Sequence, residues 1–267
     1  MSAYDLKELL VRVRNERPLV HSITNYVVMN FTANTLLAMG ASPVMAHAID
    51  EVEEMVSRAR ALVINIGTLS KGWIESMVKA GKRANKEGVP VVLDPVGSGA
   101  TSFRTKTFRR LTQEVKLAVI RANASEILSL ASDAVRTKGV DADHDSKQAV
   151  NTAREAARET GSVVAISGAV DVITDGEKVV HCSNGHPLLG WVTGTGCAAT
   201  ATIAAFSGVT AEPLVATSAG LAFFGLAGEL AAFRARSPGS FSVALMDALY
   251  EITPEEFQSR ARLEEAP

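Results

Sequence analysis

Between Gly190 and Phe206 the chain reads GWVTGTGCAATATIAAF. A glycine–threonine–glycine turn is followed at once by a cysteine, and then by a helix-like run of very small residues. Glycines widen the dihedral choice of a turn and remove its side chains, so the N–H groups of Gly194, Thr195 and Gly196 can converge on one anion. A helix beginning at Cys197 adds its own unpaired N–H groups and the positive end of its dipole. A thiol there is expected to have its pKa drawn below the ordinary value of about 8.5, which favours proton acceptance. Taken alone, Cys197 reads more readily as a buried structural thiol, and Ala198 to Ala205 as close helix packing; its place after the glycine turn is what favours the chemical reading. No Lys-Ser/Thr pair follows the glycines, so this is not a Walker loop.

More candidates stand where apolar runs end. Ligands of open parallel sheets bind beyond the carboxyl ends of the strands. After VPVVL comes Asp94-Pro95, after LAVI come Arg121, Asn123 and Glu126, and after VVAI comes Ser167-Gly168. An acid, an arginine, an Asn-x-x-Glu, a hydroxyl and a glycine turn on one edge would suit a phosphorylated, metal-bound ligand. Each also has a plainer reading. Asp94 can be a turn former, Arg121 a surface cation, and Asn123 with Glu126 a capping box. GSGATS at 97–102 lacks the third glycine of a dinucleotide fingerprint. His181, Cys182, His186 and Cys197 lack the spacing of a zinc site.

To bring those residues together the chain needs a particular scaffold. Strand-like runs at 19–24, 61–67, 89–95, 117–123, 162–168 and 177–183, with a short one at SPVMA, alternate with helical patterns at 27–40, after Asp50, and after Trp73. Continuous apolar strands between helices imply an α/β fold, a mostly parallel central sheet flanked by helices on both faces. Asp175-Gly176 signals a hairpin and hence an antiparallel edge. After Gly196 the pattern is almost wholly helical, over roughly 197–207, 212–235 and 241–252, with stops at Gly208 and Pro238. With no linker and no repeat, the expectation is one domain over 1–267.

Bulk properties narrow the class. Hydrophobic residues make up 47% of 267, enough for a sizeable core, and the net charge of −2 argues against nucleic acid or a membrane surface as partner. No window reads as long and apolar enough to span a bilayer, and the charged start MSAYDLKELLVRVRNERP is not a secretory signal. Two cysteines imply no disulfide framework. The expectation is a soluble, cytoplasmic protein.

Considered jointly, the motifs resemble one family. VHSITNYVVMNFTANTLLAMGASPVMAHAIDEVEEM, INIGTL, LDPVGSGATSFRT, IRANASEI, SGAVDVITDG and NGHPLLGWVTGTGC occur in the order found in hydroxyethylthiazole kinases, thiamine-pathway members of the ribokinase-like family. The resemblance covers nearly the whole chain and is weakest over 132–160 and after Pro238. It implies a single ribokinase-like domain, a homotrimer with active sites between subunits, and phosphorylation of the primary hydroxyl of 4-methyl-5-(2-hydroxyethyl)thiazole by ATP with Mg²⁺. By motif position it implies ATP contacts from Arg121, Ser167 and Asn123, and thiazole contacts from Met45, Gly194 and Asn25. Asp94 and Glu126 would organise magnesium, partly through water, and Cys197 would take the hydroxyl proton beside the Gly194–Thr195–Gly196 anion hole.

Four positions depart from that family pattern. Ser167 stands for a usual threonine, Ala169 for a commoner glutamate, and Gly190-Trp191 for a commoner Thr-Lys pair. The rival readings are a hydroxymethylpyrimidine or pyridoxal kinase, a nucleotide-hydrate dehydratase on the same scaffold, and a non-catalytic sensor. Cysteine rather than aspartate after the glycine turn argues against the first two, and retention of Asp94, Arg121, Glu126 and Cys197 against the third.

Overall fold

Strands that are apolar on both faces need cover on both faces, and the chain supplies it in two layers. The structure, a computed structural model, describes residues 4–131 and 146–266, so part of the stretch where the resemblance is weakest lies outside the described residues. The strands are β1 (Leu19–Ile23), β2 (Ser42–Val44), β3 (Ala61–Asn65), β4 (Val91–Asp94), β5 (Val119–Asn123), β6 (Val163–Ser167), β7 (Asp171–Thr174), β8 (Val179–Cys182) and β9 (Leu263–Glu265). They form one sheet in the order β2-β1-β3-β4-β5-β6-β7-β8-β9. The first six pair in parallel, and β7, β8 and β9 add on antiparallel.

The helices are α1 (Leu6–Glu16), α2 (Met29–Met39), α3 (Val52–Arg58), α4 (Lys71–Glu87), α5 (Ser102–Glu114), α6 (Ala124–Ala131), α7 (Ser146–Thr160), α8 (Thr195–Ser207), α9 (Pro213–Arg234), α10 (Pro238–Glu251) and α11 (Pro254–Arg260). Side chains alternate across each strand, so neighbouring residues feed different cores. Val63, Val92 and Val119 face the layer of α1, α2 and α8 to α11, where Leu10, Phe206, Phe223 and Phe241 are fully buried. Leu62, Ile64, Leu93 and Ile120 face α3 to α7, with Met77, Phe108 and Ile127.

The expected α/β architecture and the Asp175-Gly176 hairpin are present, with Gly176 at φ 98° and the Asp175 carboxylate accepting the N–H groups of Glu177 and Lys178. Four expectations need correction. Helix α8 begins at Thr195, two residues before Cys197, because Gly194 in a left-handed conformation is its N-cap. Pro238 does not stop a helix but opens α10, as proline suits a first turn. Strand β9, invisible as a pattern in a three-residue segment, closes the antiparallel edge. Finally, α9 at 22 residues is by length and composition apolar enough to cross a membrane; in this fold it is a core helix, buried between α8 and α10.

Small residues let α8 approach the sheet and α9 closely. A Cβ on Gly220 of α9 would fall 2.7 Å from the Cα of Ile203 in α8, a backbone atom that cannot step aside. Gly220→Val should therefore lower stability by about 2 kcal/mol or more, read as a lower urea midpoint. Gly72→Ala, in open space at the start of α4, should leave the midpoint unchanged or slightly raised.

Candidate active site

The site begins with a register. Strands β3 and β4 run in parallel with Asn65 opposite Asp94, each the last residue of its strand. Both are buried, 1% exposed, because α8 covers the strand ends. Asn65 Nδ2 donates to Asp94 Oδ2 at 3.1 Å and to Cys197 Sγ at 3.2 Å. Its Oδ1 accepts from Asn25 Nδ2 at 2.8 Å and from the Gly67 N–H at 2.9 Å. Asn25 Nδ2 also reaches Cys197 Sγ at 3.6 Å, and Thr200, one turn into α8, donates its hydroxyl to Asp94 Oδ2 at 2.8 Å. Three sequence candidates, Asn25, Asp94 and Cys197, thus meet through two residues that sequence reasoning missed. Asn65 was findable: a polar residue ending the apolar run ALVIN is the same signal that flagged Asp94. Thr200 had no such signal within a stretch of small residues.

The thiol departs from expectation. Burial, and next the charge of Asp94, push Cys197 up to about 11, against the opposite pull of Asn65, Arg121 and Asn25. The helix N-terminus therefore does not by itself yield a low-pKa thiol here, since desolvation of the anion outweighs it. Two amide N–H groups aimed at sulfur remain a setting that favours a thiolate once the neighbouring charge is offset. Asp94 itself is pushed up to about 6, first by burial, with Arg121 opposing and Glu126 reinforcing.

From β5 to β6, Arg121 Nη2 donates to Ser167 Oγ at 2.9 Å. A Cβ on Gly196 would lie 2.6 Å from Arg121 Nη1, so the guanidinium takes up the space that a side chain here would fill. Gly194 is required twice over, by φ 88° and by Val28, whose Cγ1 would sit 2.7 Å from a Cβ. The N–H groups of Thr195, Gly196 and Cys197 precede the first helical donor, Ala198, which bonds the Gly194 carbonyl at 2.8 Å. Thr195 Oγ1 is committed to the carbonyls of Leu189 and Val192, so its contribution to an anion is its N–H.

Asn123 and Glu126 do form the capping box: Asn123 Oδ1 accepts the Glu126 N–H and Glu126 Oε2 accepts the Asn123 N–H, each at 2.9 Å. Glu126 Oε1 takes the Gly97 N–H at 2.7 Å, tying α6 to the loop after β4. Met45 lies apart from the cluster, just beyond edge strand β2 and on the far side of β1, where His21 Nε2 bonds the adjoining Ala46 carbonyl. Among the described residues no group of three or more His, Cys, Asp and Glu side chains could hold a metal, which removes the His181–Cys182–His186–Cys197 combination.

The residues nonetheless fit a magnesium–phosphate group. Among the described residues Asp94 Oδ1 and Arg121 Nε are buried without a hydrogen-bond partner. An unpartnered anionic oxygen and an unpartnered guanidinium N–H beside a helix N-terminus match a cation with few protein ligands and the anion it accompanies. Asp94 would hold the metal directly, while Glu126, with both oxygens on backbone N–H groups, would act through water.

Residues 10–255 match the profile of the hydroxyethylthiazole kinase family. The chain belongs to that family. It is 54% identical over 259 residues to hydroxyethylthiazole kinase of Desulfotalea psychrophila, across 97% of this chain and 95% of the relative. The structure of the hydroxyethylthiazole kinase protein from Pyrococcus horikoshii matches with a TM-score of 0.91 at 48% identity, over 98% of this chain and 99% of that one. A ribokinase-like superfamily protein from Enterococcus faecalis shares the fold alone, at 14% identity and a TM-score of 0.62 over 96% and 95% of the two chains. The family resemblance and ribokinase-like fold read from the motifs are therefore correct, and the chain is an enzyme of the kinase class.

A carboxylate this buried has a consequence for stability. The folded-state pKa of Asp94, about 6, lies above the unfolded value of 3.8. The folded protein thus keeps a proton that the unfolded chain has already lost, and Asp94 costs stability increasingly as pH rises from about 4 to about 6. Above that range the cost is full, approaching about 3 kcal/mol. Asp94→Asn should raise the melting temperature of the metal- and nucleotide-free protein at pH 8 and change it little at pH 4. Equal effects at both pH values would contradict this assignment.

Proposed function

We propose that the protein transfers the γ-phosphoryl group of ATP, as its magnesium complex, to the primary hydroxyl of 4-methyl-5-(2-hydroxyethyl)thiazole, a step of thiamine biosynthesis or salvage. The observation that carries this reading is the placing of Cys197 Sγ within reach of two amide N–H groups, between the carboxylate of Asp94 and the first turn of α8. Phosphoryl transfer needs little covalent help and depends on positioning and charge compensation. Mg²⁺ with ATP, when bound, supplies the phosphoryl group and offsets much of its charge. The N–H groups of Thr195, Gly196 and Cys197, joined by Arg121, would meet the transferred oxygens, while Ser167 steadies the guanidinium and Asn123 lies next to the nucleotide. Gly194, Asn25 and Met45 would border the thiazole. Cys197 as thiolate would orient the substrate hydroxyl and accept its proton late, as the new O–P bond forms.

Met45 follows edge strand β2, and Tyr26, Val27 and Leu37 expose large apolar side chains on the neighbouring α2 region. That face suits a second subunit, and the homotrimer is part of this proposal. Light scattering after gel filtration should return three times the chain mass of 28.2 kDa. Both cysteines are free thiols, as suits the reducing cytoplasm.

The deciding assay offers Mg-ATP with hydroxyethylthiazole, hydroxymethylpyrimidine and pyridoxal separately and detects phosphorylated product by mass. Phosphothiazole alone is expected; ATP turnover with no phosphorylated alcohol would favour the lyase reading. Cys197→Ser should cut kcat by about 10²-fold or more and remove the rise of kcat with pH that a thiolate acceptor implies. Gly196→Ala should raise the KM for ATP, since its methyl group displaces Arg121.

A further inference from the structure

We propose that Asn65 is the positioning residue of this site, one amide that sets the proton acceptor and the metal carboxylate at a fixed distance from each other. The proposal rests on the reading of Cys197 and Asp94 given above. No other described side chain hydrogen-bonds both. Asn65 Nδ2 spends one N–H on Cys197 Sγ at 3.2 Å and the other on Asp94 Oδ2 at 3.1 Å. Its orientation is itself fixed from behind, because Oδ1 accepts from the Gly67 N–H and from Asn25 Nδ2. A reversed amide would face Gly67 and Asn25 with donors and the carboxylate with an oxygen, so only one rotamer satisfies all four partners.

Two chemical effects follow from that bond pattern. With Asn65 and Thr200 both on Oδ2, the free oxygen of Asp94 is always Oδ1, so the carboxylate presents one chosen atom to a cation. With Asn65 and Asn25 both donating to sulfur, the thiol's own S–H is turned away from them and a sulfur lone pair is held in place. The amide carries no charge, so it can brace a thiolate and a carboxylate together without pairing off either. An arginine or lysine there would compete with the metal for Asp94.

Asn65→Asp is the informative variant, because it keeps shape and the Oδ1 acceptor while replacing both donated N–H groups with an oxygen. Asn65→Ser is the neutral second variant. In each, kcat should fall at least about 50-fold while KM for thiazole and ATP stays within about threefold, the signature of an interaction used in the transition state. Placed in a Cys197→Ala background, either substitution should cost at least tenfold less than in the wild type, since its principal partner is gone. A readout independent of turnover is alkylation of Cys197 by iodoacetamide in the metal-free protein, resolved from buried Cys182 by peptide mass. Asn65→Asp should slow it at fixed pH.

Undiminished kcat, a loss that appears only in KM, or a loss that follows the fraction of folded protein in both variants would overturn the proposal. Full additivity with Cys197→Ala would do the same. An active Cys197→Ala enzyme would instead refute the proton-acceptor reading, an outcome visible in the single variant before Asn65 is touched.

Discussion

Everything at this site depends on one costly arrangement, a carboxylate at the end of β4 withdrawn from water between two apolar layers. Asp94 is 1% exposed, and its neighbours supply hydrogen bonds to one oxygen only. Desolvation disfavours its charge by more than Arg121, Thr200 and Asn65 offset. The protein keeps a group whose charge is best satisfied by something from outside the chain. Such a group is a poor contributor to stability and a good recogniser of a cation.

The rest of the architecture serves to place other groups against that acid. Parallel pairing aligns the ends of β3 and β4, so Asn65 and Asp94 are neighbours as a matter of register. The extremely small residues of α8 let the helix lie close to β1, β3 and β4, which brings its first turn over those strand ends. Had α8 carried ordinary leucines at Ala198 and Ala201, its axis would stand further off and Cys197 could not share a donor with Asp94. The composition that looks like packing and the position that looks like chemistry are therefore the same feature.

The same withdrawal from water governs the thiol beside that acid. Without ligand, burial and the Asp94 charge favour the protonated thiol of Cys197. Charge brought to Asp94 relieves one of those two causes, while the Asn25 and Asn65 amides are already in place for the anion.

Most of the scaffold was legible in the sequence. Apolar runs of strand length, glycine and aspartate punctuation and the order of motifs sufficed for an α/β sheet with one antiparallel edge, for the family, and for the positions of Asp94 and Ser167 at strand ends and of Cys197 in the first turn of a helix, because each depends on local pattern. Helix boundaries around Thr195 and Pro238 were misjudged by a few residues, since Gly194 and Pro238 act through cap geometry that a composition does not reveal. Strand β9 and the burial of α9 depended on partners distant in the chain. The thiol's pKa went the other way from its sequence expectation, because a helix N-terminus is a local feature and desolvation is not. What only the tertiary structure decided was that Asn25, Asn65, Asp94, Cys197 and Thr200, drawn from four separate segments, share one hydrogen-bonded cluster. Sequence specifies which residues end each strand; which of those ends touch is set by register and by how closely one helix can approach the sheet.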